Sequence, residues 1–421
     1  MSGPAAAANV LCSEPDAVRK LVSRVVVKHC RHAFGDCLRS VVLTGSLARD
    51  EASVLREDSL SRLLGDADFI LLFHSHASLP AARVIAPLIS ACETELRASG
   101  LAGPIGVAAV HDHYFRRLPR HIFSYELRER GLVVWGDANV FSLIPAFSAE
   151  EIEPEDAWHT LSNRIIEWLE LASELSSPPM PREDLKQGGG GAAASWALHY
   201  RTIKLYLDMA TSLLVFCHAY RPTYRERAEA LHRLANHECK DANPPFPLSE
   251  FALRVSSCTR WKIHPDTAGV ENAQEYWEEA VAYALALWRW ELKALAAAPP
   301  QLTTDEMFRR VARQQPMLHR LRGWSYVLRR QGWLRSWRDW PRWLDLSCRG
   351  TPRYLVYRAA FELATHVLGR RKAEANPNRA PLEAVQALLP VANADKGSSD
   401  CNRLIASLVW NYKRFLVETR A

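Results

Sequence analysis

Two aspartates separated by one residue, Asp66 and Asp68, stand at the head of the apolar run Phe69-Ile70-Leu71-Leu72-Phe73. No other feature limits the chain as much. A short apolar run of this kind reads as a strand. Side chains alternate along a strand, so both carboxylates emerge on one face. Two such charges repel strongly unless a cation lies between them. Mg²⁺ takes hard oxygen ligands and needs only one or two protein carboxylates when a substrate supplies phosphate oxygens. Upstream, Val41-Val42-Leu43-Thr44 forms a second strand-like run and ends in Gly45-Ser46. Glycine lets the backbone approach a phosphate closely, and serine offers it a hydroxyl donor.

The surrounding pattern predicts an α/β arrangement with a small mixed sheet in residues 1–148. Helices are expected from about Asp16 to Phe34 and from Ala81 to Ala98. Further strand-like runs are Ile105 to Val110 and Leu132-Val133-Val134-Trp135. Past Pro145 the strand-like runs stop and helical periodicity takes over. The chain is therefore expected to be α+β: a domain with a small sheet, then a long all-helical region. That region divides at 149–300 and 301–421. Helices are expected near Ser195 to Ala219, Gln274 to Leu295, Asp305 to Arg313, Arg353 to Leu368 and Cys401 to Val417. The stretch from Ser176 through Pro178-Pro179 to Gly188-Gly189-Gly190-Gly191 reads as a loop. No Gly-Lys-Ser/Thr follows it, so it is not a phosphate loop of that type.

At 421 residues and 48% hydrophobic content, the chain can bury large cores. A charged fraction of 24% argues against disorder, and a net charge of +6 suits anionic partners. The segment MSGPAAAANV lacks the apolar run of a signal peptide. No stretch of about eighteen apolar residues marks a membrane span. Nine cysteines include no Cys-x-x-Cys pair. They read as reduced thiols of a cytoplasmic protein.

The order Gly45-Ser46, then Asp66-Ala67-Asp68-Phe69, resembles the nucleotidyltransferase superfamily. That is the fold of DNA polymerase beta and of aminoglycoside-type nucleotidyltransferases with a C-terminal helical domain. Gly45-Ser46-Leu47-Ala48-Arg49-Asp50-Glu51 is similar to the family's Gly-Ser-x-Ala-Arg-Gly-Glu form. Leu132 to Asp137 and His218 to Arg227 are similar to the family's later segments. The resemblance implies Mg²⁺-dependent transfer of a nucleoside monophosphate from an NTP, ATP included, to a hydroxyl acceptor, more readily a small molecule than a macromolecule. It implies that Asp66 and Asp68 bind the metal and that Gly45 and Ser46 grip the triphosphate. Arg49 would assist on phosphate, while Tyr200 and Lys204 would face the nucleotide from the helical domain closing the cleft.

Two departures bear on activity. Nineteen residues, 47 to 65, separate Ser46 from Asp66, which an insertion over roughly Ala52 to Leu64 accommodates. The family's third carboxylate has no counterpart in Ile105-Gly106-Val107-Ala108-Ala109-Val110. Asp112 is the candidate base, with Glu126 the alternative. A catalytically silent, nucleotide-binding relative is the first rival reading. The second rests on Arg320 to Trp343, where seven arginines and five tryptophans occur. This Arg/Trp-rich stretch is either a nucleic-acid surface or amphipathic helix with buried tryptophans. His74/His76 and His111/His113 follow expected strands and either chelate a metal or cap strand ends. The Arg-x4-His matches at Arg24 and Arg116 are what chance provides among so many arginines and fifteen histidines.

Overall fold

A computed structural model describes residues 15–56, 60–176, 190–236, 243–266, 272–299, 301–332, 339–371, 382–391 and 401–417. The Pro- and Gly-rich stretch at 177–189 lies outside these residues, as do Trp333, Arg335, Trp337 and Arg338.

The chain opens with helix α1 (Pro15–Phe34) and strand β1 (Leu38–Thr44). The short helix α2 (Gly45–Ala48) follows, then β2 (Val54–Arg56), β3 (Ser61–Leu63) and β4 (Ala67–Phe73). Helix α3 (Ala82–Ala98) leads to β5 (Leu101–Ala102) and β6 (Ile105–His111). Helices α4 (Asp112–Arg116) and α5 (Ile122–Arg130) precede β7 (Leu132–Gly136). Beyond this point the described chain has no further strand. It continues with α6 (Pro154–Ser176), α7 (Gly190–Phe216), α8 (Tyr224–Asn236) and α9 (Leu248–Ile263). Next come α10 (Ala273–Leu295), α11 (Thr304–Gln314), α12 (Met317–Gln331) and α13 (Trp340–Arg349). The last are α14 (Pro352–Arg371), α15 (Leu382–Leu388) and α16 (Cys401–Tyr412). The architecture is α+β.

Contacts divide the chain into two compact units. The first comprises Met1–Asp156, Cys217–Glu238 and Ser249–Ala268; the second comprises Ala157–Phe216, Cys239–Leu248 and Gly269–Ala421. The first unit thus includes α8 and most of α9, from a stretch that sequence reading gave to the helical domain.

The main sheet of the first unit has the order β6-β4-β1-β7. β1 is antiparallel to β4 and β7, whereas β4 and β6 run parallel. Both faces are covered, which is why β1 and β4 read as nearly continuous apolar runs. Val41, Leu43, Phe69, Leu71 and Phe73 join one core with α1 and α3 residues such as Val22, Val26, Cys92 and Leu96. Val42, Ile70 and Leu72 join a second core with Phe115, Leu118, Leu127, Val140 and Ile144. The expected insertion contains β2 and β3, which build a small separate sheet of order β2-β3-β5.

The second unit is helical in its described residues. α7 packs along α10, and α10 along α11 and α14. Trp158 is fully buried against Trp288, Tyr354 and Tyr357, with ring centroids 5.2–5.6 Å away. The Trp288 Nε1–H donates to Ser162 at 2.8 Å, so the ring's polar edge is satisfied within this core. α7 ends at Phe216, short of the expected Ala219, because His218 adopts a left-handed backbone (φ +52°).

Candidate functional site

β1 delivers the chain to Gly45, whose φ of +75° lies in the left-handed region. A side chain there would be strained, and its Cβ would also lie 3.2 Å from Asp68 Oδ2. Glycine therefore serves both the turn and the neighbouring carboxylate. Ser46 opens the following helical turn and is half-buried. Its hydroxyl has no partner among the described residues.

Asp68 is the second residue of β4 and is half-buried. Its strand neighbours are Thr44 on β1 and Gly106 on β6. Asp66 sits just before β4 and is exposed. The structure therefore brings Gly45, Ser46, Asp66 and Asp68 to one end of the sheet. Two oxygen-bearing acids beside a Gly-Ser turn suit Mg²⁺ that takes its other ligands from phosphates and water. Among the described residues, no three His, Cys, Asp or Glu side chains are grouped to hold a metal ion by themselves.

The position opposite Asp68 is the informative one. A Cβ on Gly106 would overlap Asp68 Oδ1. The β6 residues on the Asp68 face are Gly106, Ala108 and Val110, so this strand offers no third acid. Asp112 does not fill the gap. It opens α4 beyond the far end of β6, with roughly 17 Å of strand between Gly106 and His111. There it accepts a hydrogen bond from Ser75 Oγ at 3.1 Å and lies 3.6 Å from Arg39. Burial pulls its pKa upward. The Ser75 hydroxyl, the His113 N–H, Arg116 and Arg39 outweigh that and hold the carboxyl below its ordinary range. A carboxylate so stabilised is a poor base.

Glu126 and Arg49 belong to a different construction. The Arg49 side chain is 6% exposed and is paired with Glu126. Its Nε lies 3.6 Å from Glu51, and its guanidinium lies over the Tyr224 ring. Glu126 also accepts from Arg227 and, at 2.5 Å, from the Tyr220 hydroxyl. Burial would raise the Glu126 pKa, but Arg49 and Arg227 outweigh it and keep the carboxyl low. Glu51, 1% exposed, accepts the backbone N–H groups of Tyr224 and Arg225 at 2.9 and 3.0 Å. It therefore caps the start of α8, where the unpaired amides favour an anion. Thr223 and Glu226 add a reciprocal capping pair. Arg49 and Glu51 are thus committed to anchoring residues 220–227, not exposed for a ligand.

Sequence reading missed Glu51, Tyr220 and Arg227 in this role. Thr223-x-x-Glu226 was the one local signal, since it marks a helix start. Asp50 tolerates φ +58° and pairs with Arg19.

Tyr200 and Lys204 lie on α7, in the second unit. The Lys204 ammonium sits 5.3 Å from the Tyr200 ring centroid, and Tyr200 stacks on Trp196. The His74/His76 and His111/His113 rings pair at 5.6 and 5.5 Å. His111 Nε2 is 2.8 Å from the Ala77 carbonyl oxygen, which suits the strand-end reading of that residue. No family model, curated protein or solved structure matches this chain.

Proposed function

We propose that the first unit binds a nucleoside triphosphate with Mg²⁺ and transfers its nucleoside monophosphate to a hydroxyl acceptor. The observation that carries this reading is the Asp68 carboxylate held against Gly45, at the end of the sheet where Ser46 follows Gly45 and Asp66 precedes β4. Asp66 and Asp68 would hold the metal; Gly45 N–H and Ser46 Oγ would contact phosphate oxygens. Magnesium supplies charge neutralisation on the triphosphate. The acceptor oxygen forms a bond to the α-phosphorus as the bond to the bridging oxygen breaks. Pyrophosphate leaves, and the acceptor proton passes to solvent. A small hydroxyl compound and a cytoplasmic setting accompany this reading. Among the described residues, no helix is long and apolar enough to cross a membrane.

A second reading, nucleotide binding without turnover, is favoured by Gly106. It occupies the strand position opposite Asp68 and leaves no room for a third acid. Calorimetry with ATP, GTP, CTP and UTP, with and without Mg²⁺, tests both readings on the native chain and Asp68→Asn. Magnesium-dependent binding that the variant loses is expected. Absence of binding to all four, or binding unchanged in the variant, would remove the site. Bound triphosphate that never releases pyrophosphate across a panel of hydroxyl acceptors would select the second reading.

A further inference from the structure

We infer that the start of α12 docks on an anionic lipid surface, independently of the nucleotide site. Met317, Leu318 and Leu321 are 77%, 77% and 60% exposed. They occupy the first turn of a helix whose other face is buried through Trp324 and Val327. Large aliphatic side chains grouped and open to water in this way mark an interaction surface. The same outer face continues through Arg322, Ser325 and Arg329, all exposed.

Charge selects the occupant. From Met307 to Gly332 the chain holds seven arginines and no acidic residue. Arg310, Arg313, Arg322 and Arg329 are exposed and, among the described residues, lack a carboxylate partner. Aliphatic tips that enter the acyl boundary, ringed by guanidiniums at the headgroup level, are what an interfacial helix needs. A second copy would bring arginine against arginine. A nucleic acid would use exposed aromatic rings and gain nothing from Met317 or the two leucines. Among the described tryptophans from Arg320 to Trp343, Trp340 is 39% exposed but lies on α13, outside this face, whereas Trp324 and Trp343 are 7% and 5% exposed. Their Nε1–H groups donate to the Gly350 and Pro390 carbonyls, so both rings belong to the fold.

Flotation of the full chain with vesicles of phosphatidylcholine, alone or mixed with phosphatidylserine, tests this. Binding is expected only to the phosphatidylserine vesicles, and added salt should weaken it. The pair Leu318→Ser and Leu321→Ser should lower partitioning at least roughly tenfold. Arg322→Ala or Arg329→Ala should each cost roughly fivefold. These side chains are exposed, so the variants should keep the native circular dichroism. No vesicle binding, equal binding to neutral vesicles, or full binding by the leucine pair would overturn the inference. So would retention of single-stranded RNA that survives the leucine changes, or a dimer that those changes dissolve.

Discussion

Glu291 should lower the stability of this protein as pH rises, and Glu291→Gln should remove that dependence. The residue lies on α10, is fully buried, and neither carboxyl oxygen has a well-formed hydrogen bond among the described residues. Burial pushes its pKa up to about 8, opposed only in part by the Ser212 hydroxyl. The sign follows from proton counting. Between its unfolded pKa near 4.5 and its folded pKa near 8, the folded chain keeps a proton that the unfolded chain has lost. Stability is therefore highest below the unfolded value and declines through this window.

At roughly 1.4 kcal/mol per unit, the cost is about 1 kcal/mol at pH 5 and about 3 kcal/mol at pH 7. These are upper values, since relaxation and water entry soften any buried charge. Urea unfolding followed by circular dichroism at pH 5, 7 and 8 measures the effect on both proteins. The native chain should gain on Glu291→Gln as pH falls, with the two curves furthest apart at pH 8. Parallel pH profiles for the two proteins would refute the reasoning, because they would mean that Glu291 ionises alike in both states.

The cluster that anchors α8 predicts a large loss at another buried acid. Glu126→Gln leaves Arg49 and Arg227 facing each other without their shared counter-charge, and should cost about 3–5 kcal/mol in urea unfolding. A loss below about 1 kcal/mol would mean that the cluster is not what holds the segment. The native pair also has a pH signature. Because the Glu126 pKa is depressed, its stabilisation is present above the ordinary carboxylate value and is lost as pH falls through the folded value. Gly106→Ala adds a Cβ where Asp68 Oδ1 now lies, so the carboxylate must turn away. Magnesium-dependent triphosphate binding should fall at least roughly tenfold by calorimetry, with unfolding changed by less than about 1 kcal/mol. Unchanged binding would mean that the present orientation of Asp68 is irrelevant to the ligand.

The parts of the fold visible in the sequence were those with local causes. β1 and β4 are buried on both faces, so each needs an unbroken apolar run, and such runs stand out. The small sheet did not, because β2, β3 and β5 are two or three residues long and show no period. The place of Asp68 in β4 was legible because the apolar run after it marks the strand, whereas Asp66 falls just before that strand. The fate of Arg49 was not, because its environment is assembled from remote residues. Glu126 lies 77 residues from Arg49, and Arg227 a further 101 from Glu126. No local pattern encodes such a meeting. Asp112 illustrates the converse. It is near the third strand in sequence yet at the wrong end of it in space, since a strand separates its two ends by its full length.

The motif from Gly45 to Glu51 thus divides between two tasks. Gly45 lies against Asp68, with Ser46 next in the turn, while Arg49 and Glu51 are buried against residues 220–227. The burial is tolerable because the charges balance: Arg49 and Arg227 against Glu51 and Glu126, with Tyr220 filling one more acceptor site. Removing any one of the four leaves a net buried charge, so the cluster holds together only as a set. The Glu51 N–H in turn donates to the Ser46 carbonyl at 2.9 Å, which closes the loop between the two halves of the motif. A rigid, charge-balanced anchor therefore sits within a few residues of the turn that presents Ser46. That proximity couples the placement of the Gly-Ser turn to the docking of α8, a segment more than 170 residues downstream.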